Sequence, residues 1–397
     1  MTTLYINRDE IVKDYERALT RRFEVKHAFA LADKEQAMQA TLAAAGVTQG
    51  SEVILPVLAD YEVAQAIVKF GAAPVFCDVY PGTFIAQSED MERKMTDKTS
   101  AFLTTSQWGG LGDFPFHQEL AQKTNIPLVS FATTGLGSKS AAWDGMKADI
   151  QCFGTDAGSI LNLGSGGVIL TNSAVVADKV TSLGITPASH DLGQRGLDYM
   201  QQWETHAVAR KDAVTAQWNG FYPTMMHMPM EAYPPYILRS NSYNLYFLYK
   251  KPQNGLSQTP DYDEKNPAFK RADDVMDFIE GTGLIPDYKD CKPKLLADFA
   301  DMAAIHKARS SKPPKEEFEH AHNTLRDIVV IPVLPDVPEE TWAQLDELLY
   351  YTIVPGTYIP APNFTAMLAS NRKNGTQKPP RWDFVPDWFK QGKLSPS

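Results

Sequence analysis

The sequence predicts an α/β protein, with a large lobe built on a mixed, mainly parallel sheet and a smaller α+β lobe after it. Three observations carry this expectation. Two short apolar runs, Val53–Leu55 and Pro74–Asp78, flank a helical repeat at Tyr61–Phe70, which is the rhythm of a βαβ unit. The alternation continues with strands at Ser100–Thr105 and Ile126–Phe131 around a helix at His117–Thr124. Residues 151–172, QCFGTDAGSILNLGSGGVILTN, then place two apolar runs around small and polar residues, which reads as strand, tight glycine-rich loop, strand.

The remaining elements follow in order. DEIVKDYERALTRR at 9–22 has helical spacing of apolar and charged groups, so the chain opens on an amphipathic helix. A strand at His27–Ala32 leads into a helix over 33–46, which starts on an acidic cluster and ends on glycine. GLDYMQQWETHAVARKDAVTAQWN at 196–219 reads as one long helix leaving the large lobe. The four methionines and four prolines of 221–236 mark an irregular, packed crossing. In the smaller lobe we expect a strand at Tyr243–Leu248, a helix at Arg271–Gly281, a closing strand at Leu325–Val333 and a helix at Glu339–Tyr351. Residues 251–267 and 285–318, rich in Pro, Asp and Lys, read as loops or insertions. These segments divide the chain into 1–220, 221–351 and an extension at 352–397, whose aromatic residues suit a strap over this protein's surface or a partner's.

Composition narrows the function classes. The 397 residues are 43% hydrophobic, enough for a large core. A formal charge of −10, with no long Lys/Arg run, argues against a nucleic-acid partner. No stretch approaches the ~20 apolar residues of a membrane span, and Met1–Arg8 lacks the pattern of a signal peptide, so a cytoplasmic location is expected. Cys77, Cys152 and Cys291 are few and far apart, which indicates neither a disulfide framework nor a metal knuckle, and the histidines show no H-E-x-x-H arrangement; no metal site is expected.

The segment 151–172 resembles the DegT/StrS family of sugar aminotransferases, fold-type I pyridoxal-phosphate (PLP) enzymes whose stretch runs C-F-S-F-x-x-x-K-x-L-x-x-G-E-G-G-x-x-x-T. Cys152, Phe153, Leu161, Gly164, Gly166, Gly167 and Thr171 stand in register. GSEVILPVLADYEVAQAIVKFGAAPVFCDVYPGTF, from Gly50, is similar to the family's G-D-E-V-I-x-P, helix, G-A-x-P-V-F-x-D. The resemblance covers about 9–351 and implies an aminotransferase-like large domain with a seven-stranded type of sheet. It also implies a dimer, because family active sites are completed across one.

Carried over residue by residue, the resemblance meets substitutions at the cofactor positions. The Schiff-base lysine falls on Ser159, whose hydroxyl cannot form an imine. The aspartate that pairs with the pyridinium nitrogen falls on Phe131 and the glutamine after it on Thr134. The phosphate-binding S-G-T falls on Asp33, Lys34 and Glu35, where two carboxylates are expected to oppose a dianion. The aromatic above the ring falls at Asp60 and Tyr61. We therefore expect no PLP and no other cofactor.

Two functions follow as expectations. The first is a PLP-independent enzyme of natural-product or nucleotide-sugar metabolism that acts on a small molecule in the inherited cleft. Ser159, Asp156, Lys139 and Tyr61 are its candidate catalytic groups, and Asp33, Lys34, Glu35, Asp60, Glu62, Phe131 and Thr134 line its substrate site. The second is a catalytically inactive subunit that pairs with an active paralogue. A homodimer is expected for the first and a heterodimer for the second.

Overall fold

The computed structural model describes residues 9–107, 111–132, 134–140, 146–213, 230–233, 237–239, 244–249, 272–285, 293–310, 312–332, 337–338 and 340–345. Cys291, the Glu339–Tyr351 helix beyond residue 345, most of the 221–236 crossing and the 352–397 extension lie outside the described residues.

Strands β1 (His27–Leu31), β2 (Glu52–Pro56), β3 (Ala73–Cys77), β4 (Thr99–Thr105), β5 (Leu128–Phe131), β7 (Ile150–Gly154) and β8 (Gly167–Thr171) form one seven-stranded sheet in the order β1-β8-β7-β5-β4-β2-β3. β3, β2, β4, β5 and β7 pair in parallel, and β8 alone runs against its neighbours β7 and β1. The mixed, mainly parallel sheet expected from the sequence is thus present. Its apolar runs alternate between faces as a pleated strand requires. Val53 and Leu55 join the core under helices α2 (Lys34–Ala44) and α3 (Tyr61–Phe70), whereas Ile54 joins the core of the opposite face with Leu120 and Ala121 of α5 (Pro115–Thr124).

Helix α1 (Glu10–Phe23) starts where the Asp9 side chain accepts from the Ile11 N–H at 2.8 Å and ends at Glu24 in the left-handed region. Its buried stripe of Val12, Tyr15, Glu16 and Leu19 faces α7 (His190–Gln201). Gly196 makes that approach possible: a Cβ there would lie 2.6 Å from the Tyr15 ring. Gly167 does the same for α2. A Cβ on it would meet the Ala37 Cβ at 2.6 Å and the Asp33 carbonyl at 2.9 Å, so only glycine lets the first turn of α2 sit directly on β8. The site below depends on that close seat.

Four readings need correction. The single helix expected over 196–219 is broken at Gln202: α7 ends there, and α8 continues over 203–213. A short helix, α4 (Ser88–Arg93), lies where no element was expected. Strand β9 (Met230–Tyr233) lies within the stretch read as irregular; it pairs with β11 (Asn244–Tyr249), which pairs in turn with β12 (Ile328–Pro332) in an antiparallel three-stranded sheet. The two-stranded pair of β6 (Lys139–Ser140) and β10 (Ile237–Arg239) stands apart.

The fourth correction concerns 285–318, read as loop. Beyond α9 (Ala272–Thr282), the chain forms a 3-10 turn at Leu296–Asp298 and helices α10 (Ala300–Arg309) and α11 (Pro314–Glu317), before α12 (Glu319–Asp327). Its apolar residues are too sparse for a clear period, yet Leu295, Leu296, Met302 and Phe318 are almost fully buried in the core shared with α2 and α3. Tertiary burial, rather than local pattern, makes these turns. The Leu296 N–H also donates to the Val57 carbonyl at 2.8 Å, which fixes this segment beside the carboxyl end of β2.

His117, on α5, gives the fold a pH dependence. Its ring is buried, with Nε2 2.7 Å from the Ala86 carbonyl, and burial lowers its pKa to about 4. A depressed histidine pKa contributes stability above the unfolded value and loses it as pH falls, because the unfolded chain takes up a proton that the folded one refuses. Stability is expected to fall by roughly 3 kcal/mol from this group between pH 6.5 and 4. Urea titrations of His117→Gln at several pH values should show a shallower slope over that window than the parent.

Candidate functional site

The carboxyl ends of β2, β5 and β7, with the first turn of α2 after β1, open into one cavity of about 360 Å³. Open α/β sheets place ligands at this edge, because the loops that leave the strands converge there. Lys34, Asp60, Tyr61, Glu62, Phe131, Thr134, Asp156 and Ser159 of the expected site all line it. Asp33 and Glu35 do not.

Local geometry explains the difference at 33–35. Asp33 is the N-cap of α2 and accepts from the Gln36 N–H at 2.7 Å. Glu35 is turned to the outside, where Lys69 donates to it at 3.0 Å. Only Lys34 faces the cavity. The expected opposition of two carboxylates to an anion is therefore corrected: at this end of the cleft the side chain presented is a cation. Lys139 is in β6, and its side chain lies outside the described residues.

The Lys34 ammonium bridges two loops. It is paired with Glu62 of α3 and lies 3.3 Å from Asp156 of the β7–β8 loop. Burial pulls its pKa down, but these two carboxylates outweigh that and hold it above the usual lysine value, so it stays charged at neutral pH. On the far side of Asp156, the Ser159 hydroxyl donates to Oδ1 at 2.9 Å. Glu62, Lys34, Asp156 and Ser159 thus form a chain of polar contacts along the wall. A serine that donates to a carboxylate is a hydrogen-bonding group for a ligand; nothing in this chain makes it an imine nucleophile.

The other expected residues have partners as well. Asp60 accepts from Gln107 Nε2 at 2.8 Å. Tyr61 lines the cavity but stacks on Phe299, with centroids 4.3 Å apart and planes at 15°, and its hydroxyl donates to Asp301 at 2.9 Å. That hydrogen bond is the main cause holding its phenol above the usual range. Tyr61 therefore ties the cleft edge to α10, a role with no signal in the sequence because its partner is 240 residues away. Gly154, Met38, Val63 and Cys152 also line the cavity. Burial pushes the Cys152 thiol up to about 12, so it behaves as a small apolar group. The acids around the cleft have partners in Gln36, Lys69, Gln107 and Lys34, and among the described residues no group of three or more His, Cys, Asp or Glu is placed to hold a metal ion.

A seven-stranded, mainly parallel sheet with a loop-lined cleft over its carboxyl ends defines an aminotransferase-like α/β protein. The chain belongs to the DegT/DnrJ/EryC1/StrS aminotransferase family, whose profile matches residues 3–208. It is 26% identical over 181 residues to a GDP-perosamine synthase of Vibrio cholerae, a match covering 45% of this chain and 48% of that one. The chain thus spans about half the length of the curated relatives it matches. Among solved structures, DesI, determined in the presence of its TDP-sugar product, superposes with a TM-score of 0.69 at 18% identity, covering 92% of this chain and 88% of the other. The ntda protein of Bacillus subtilis with bound PMP has a TM-score of 0.67 at 16% identity, covering 87% and 78%.

These findings overturn the expectation that no cofactor is used. The family is one of aminotransferases, and a neighbour in fold carries PMP, which points to a pyridoxal-type cofactor. The aminated form meets a mixed lining: Asp60, Glu62 and Asp156 put three carboxylates on the wall against one cation, Lys34, which two of them already pair. Lys34 supplies a cation for a phosphate, Phe131 an apolar wall for a ring, and Thr134 and Ser159 hydroxyls for its polar edge. The aminated form requires no bond to a lysine, so Ser159 is no obstacle to it. Once bound, such a group would supply an amine for exchange with a carbonyl. No described helix is long and apolar enough to cross a membrane.

Proposed function

We propose that this chain is an enzyme of sugar metabolism that takes a pyridoxamine-phosphate type of cofactor, and a small nucleotide-sugar type of substrate, in the cleft over the carboxyl ends of β2, β5 and β7. The observation that carries the reading is the placement of Lys34: the one member of the former phosphate-binding triplet that faces the cavity is a cation, across from the hydroxyl of Ser159. The names of the relatives supply the sugar class. In this reading Lys34 binds, Phe131 excludes water, and Asp156 orients the Ser159 hydroxyl by accepting its hydrogen bond at Oδ1. Tyr61 holds the cleft edge. We further propose a homodimer, to be checked by light scattering at micromolar concentration.

The test is titration of the purified chain with pyridoxamine 5′-phosphate, followed by cofactor fluorescence, and then turnover of keto-sugar nucleotides. Saturable binding is expected. Ser159→Ala and Asp156→Asn are expected to fold, since both residues lie on a loop, and to lower turnover by about 30- to 1000-fold if their hydrogen bonds act in the transition state. A second reading, a non-catalytic subunit beside an active paralogue, is favoured by one observation: Ser159 stands where the family has its lysine. Turnover that appears only on mixing with the paralogue, and is unaffected by these two substitutions, would support it.

A further inference from the structure

The β7–β8 loop that carries Asp156 and Ser159 has two sides. On one, Asp156, Ala157, Gly158 and Ser159 line the cavity in a turn closed by the Ser159 N–H, which donates to the Asp156 carbonyl at 3.1 Å. On the other, Ile160, Leu161 and Leu163 are buried in a core shared with α1 and α7. The base of the loop is pinned by its own bonds: the Thr155 N–H donates to the Gly166 carbonyl at 2.9 Å, the Thr155 hydroxyl to the Ser165 carbonyl at 2.6 Å, and the Leu163 N–H to the Thr155 carbonyl at 2.9 Å. Next to the turn, the bond comes from outside the loop. The Tyr199 hydroxyl of α7 donates to the Ile160 carbonyl at 2.5 Å. Tyr199 is itself held. Arg210 Nη1 donates to its hydroxyl oxygen at 3.2 Å, which leaves the phenolic proton for the carbonyl. The His206 ring stacks on the Tyr199 ring with centroids 4.1 Å apart and planes at 18°, and Trp203 meets it edge-on. Burial and then the Arg210 charge hold His206 below the usual histidine pKa, so the stacked ring is neutral at pH 7. Along an unbroken helix, Tyr199 would stand about 10 Å from His206 and about 16 Å from Arg210. The break at Gln202 brings α8 back over Tyr199.

We propose that Tyr199 is a positioning residue for the cleft: its hydroxyl tethers the Ile160 carbonyl and so fixes the turn that presents Asp156 and Ser159, although Tyr199 itself does not line the cavity. This rests on the reading that Asp156 and Ser159 act on a ligand in the cleft. Two consequences distinguish a tether from general packing. First, the turn opens more often when the hydroxyl is removed, whether or not a ligand is present. Second, because Tyr199 acts through the turn, its loss affects turnover only while Asp156 and Ser159 are there to be placed.

The experiment has two arms, both on the full chain. The first follows hydrogen exchange of a peptide spanning 155–166, without ligand, in the parent, in Tyr199→Phe and in Tyr15→Phe. Tyr199→Phe keeps the ring and its stack and leaves the buried Ile160 carbonyl without its donor, so exchange in this peptide is expected to accelerate about 5- to 50-fold. Tyr15→Phe removes a buried hydroxyl of the same core that has no partner among the described residues, and the loop is expected to exchange as in the parent. The second arm measures kcat and KM for keto-sugar nucleotides. Tyr199→Phe is expected to lower kcat about 5- to 30-fold with KM near the parent value. In the Asp156→Asn/Ser159→Ala background the same substitution is expected to change kcat less than about 2-fold. Unchanged exchange in Tyr199→Phe, equal acceleration in Tyr15→Phe, or the same loss of kcat in both backgrounds would overturn the tether while leaving the cleft reading in place. A parent without turnover would overturn the function proposed for the cleft, and the exchange arm would still decide the tether.

Discussion

Replacing Lys94 by methionine is expected to lower the free energy of unfolding by about 1–3 kcal/mol, the usual cost of removing a charged donor from partly buried acceptors, since Asp90 keeps Arg93 at 2.5 Å and Glu317 keeps the Ser310 hydroxyl. Lys94 caps the end of α4 and is largely buried. Its ammonium donates to Glu317 at 2.6 Å and to the Phe76 carbonyl at 2.7 Å, lies 3.7 Å from Asp90, and sits 4.5 Å above the Phe318 ring. Asp90 is fully buried, and Glu317 is partly buried at 15% exposure. Methionine keeps the packing over Phe318 and removes only the charge, so urea unfolding of this variant isolates the electrostatic loss. A change below 1 kcal/mol would show that water reaches this network. The same network predicts an acid response. Burial raises the Glu317 pKa, but hydrogen bonds from Lys94 and Ser310 outweigh it and hold the carboxyl below the usual glutamate range. A depressed carboxylate contributes stability above its unfolded pKa and loses it as pH falls through the folded value. Glu317→Gln is accordingly expected to flatten the acid limb of the stability profile below about pH 4.5.

Asp78→Ala is expected to cost about 2–4 kcal/mol, from the loss of a charged acceptor serving several backbone donors at once. The carboxylate, 5% exposed just past β3, accepts from the N–H groups of Val79 at 2.9 Å, His320 at 3.0 Å and Ala321 at 2.9 Å. It thus caps α12 from more than 240 residues away and anchors the chain that leads into β12. Asp78→Asn retains an oxygen acceptor and should recover part of the loss. The two variants can be separated by thermal melting, and by hydrogen exchange at the amides of 320 and 321, which should accelerate in Asp78→Ala well beyond the global effect. Equal exchange in variant and parent would show that α12 does not depend on this cap.

The sheet and its flanking helices were legible because burial on both faces forces near-continuous apolar runs, and Val53–Leu55, Pro74–Asp78 and Ser100–Thr105 have them. α10 was not legible. Its buried residues, Met302 and His306, share a face but are only two, one of them polar, and the helix exists because the sheet core receives Leu295 and Leu296 next to it. Eight expected site residues line the cavity because they lie at strand ends, which topology alone brings together. The misreading at 33–35 was one of direction. Consecutive residues in a helical turn point about 100° apart, so three neighbours cannot all face one cleft. Capping claimed Asp33, Lys69 claimed Glu35, and the cation was left pointing inward. Only this corner of the wall gains a cation; Asp60, Glu62 and Asp156 keep the rest of it acidic. Gln107, Phe299 and Asp301 left no local signal, since each acts through a partner distant in sequence.

The most direct test of the cleft as a cofactor site is a crystal structure of the full chain grown with saturating pyridoxamine 5′-phosphate. The result expected is ligand density between Phe131 and the Asp156–Ser159 loop. A cleft without ligand density at saturation would contradict it.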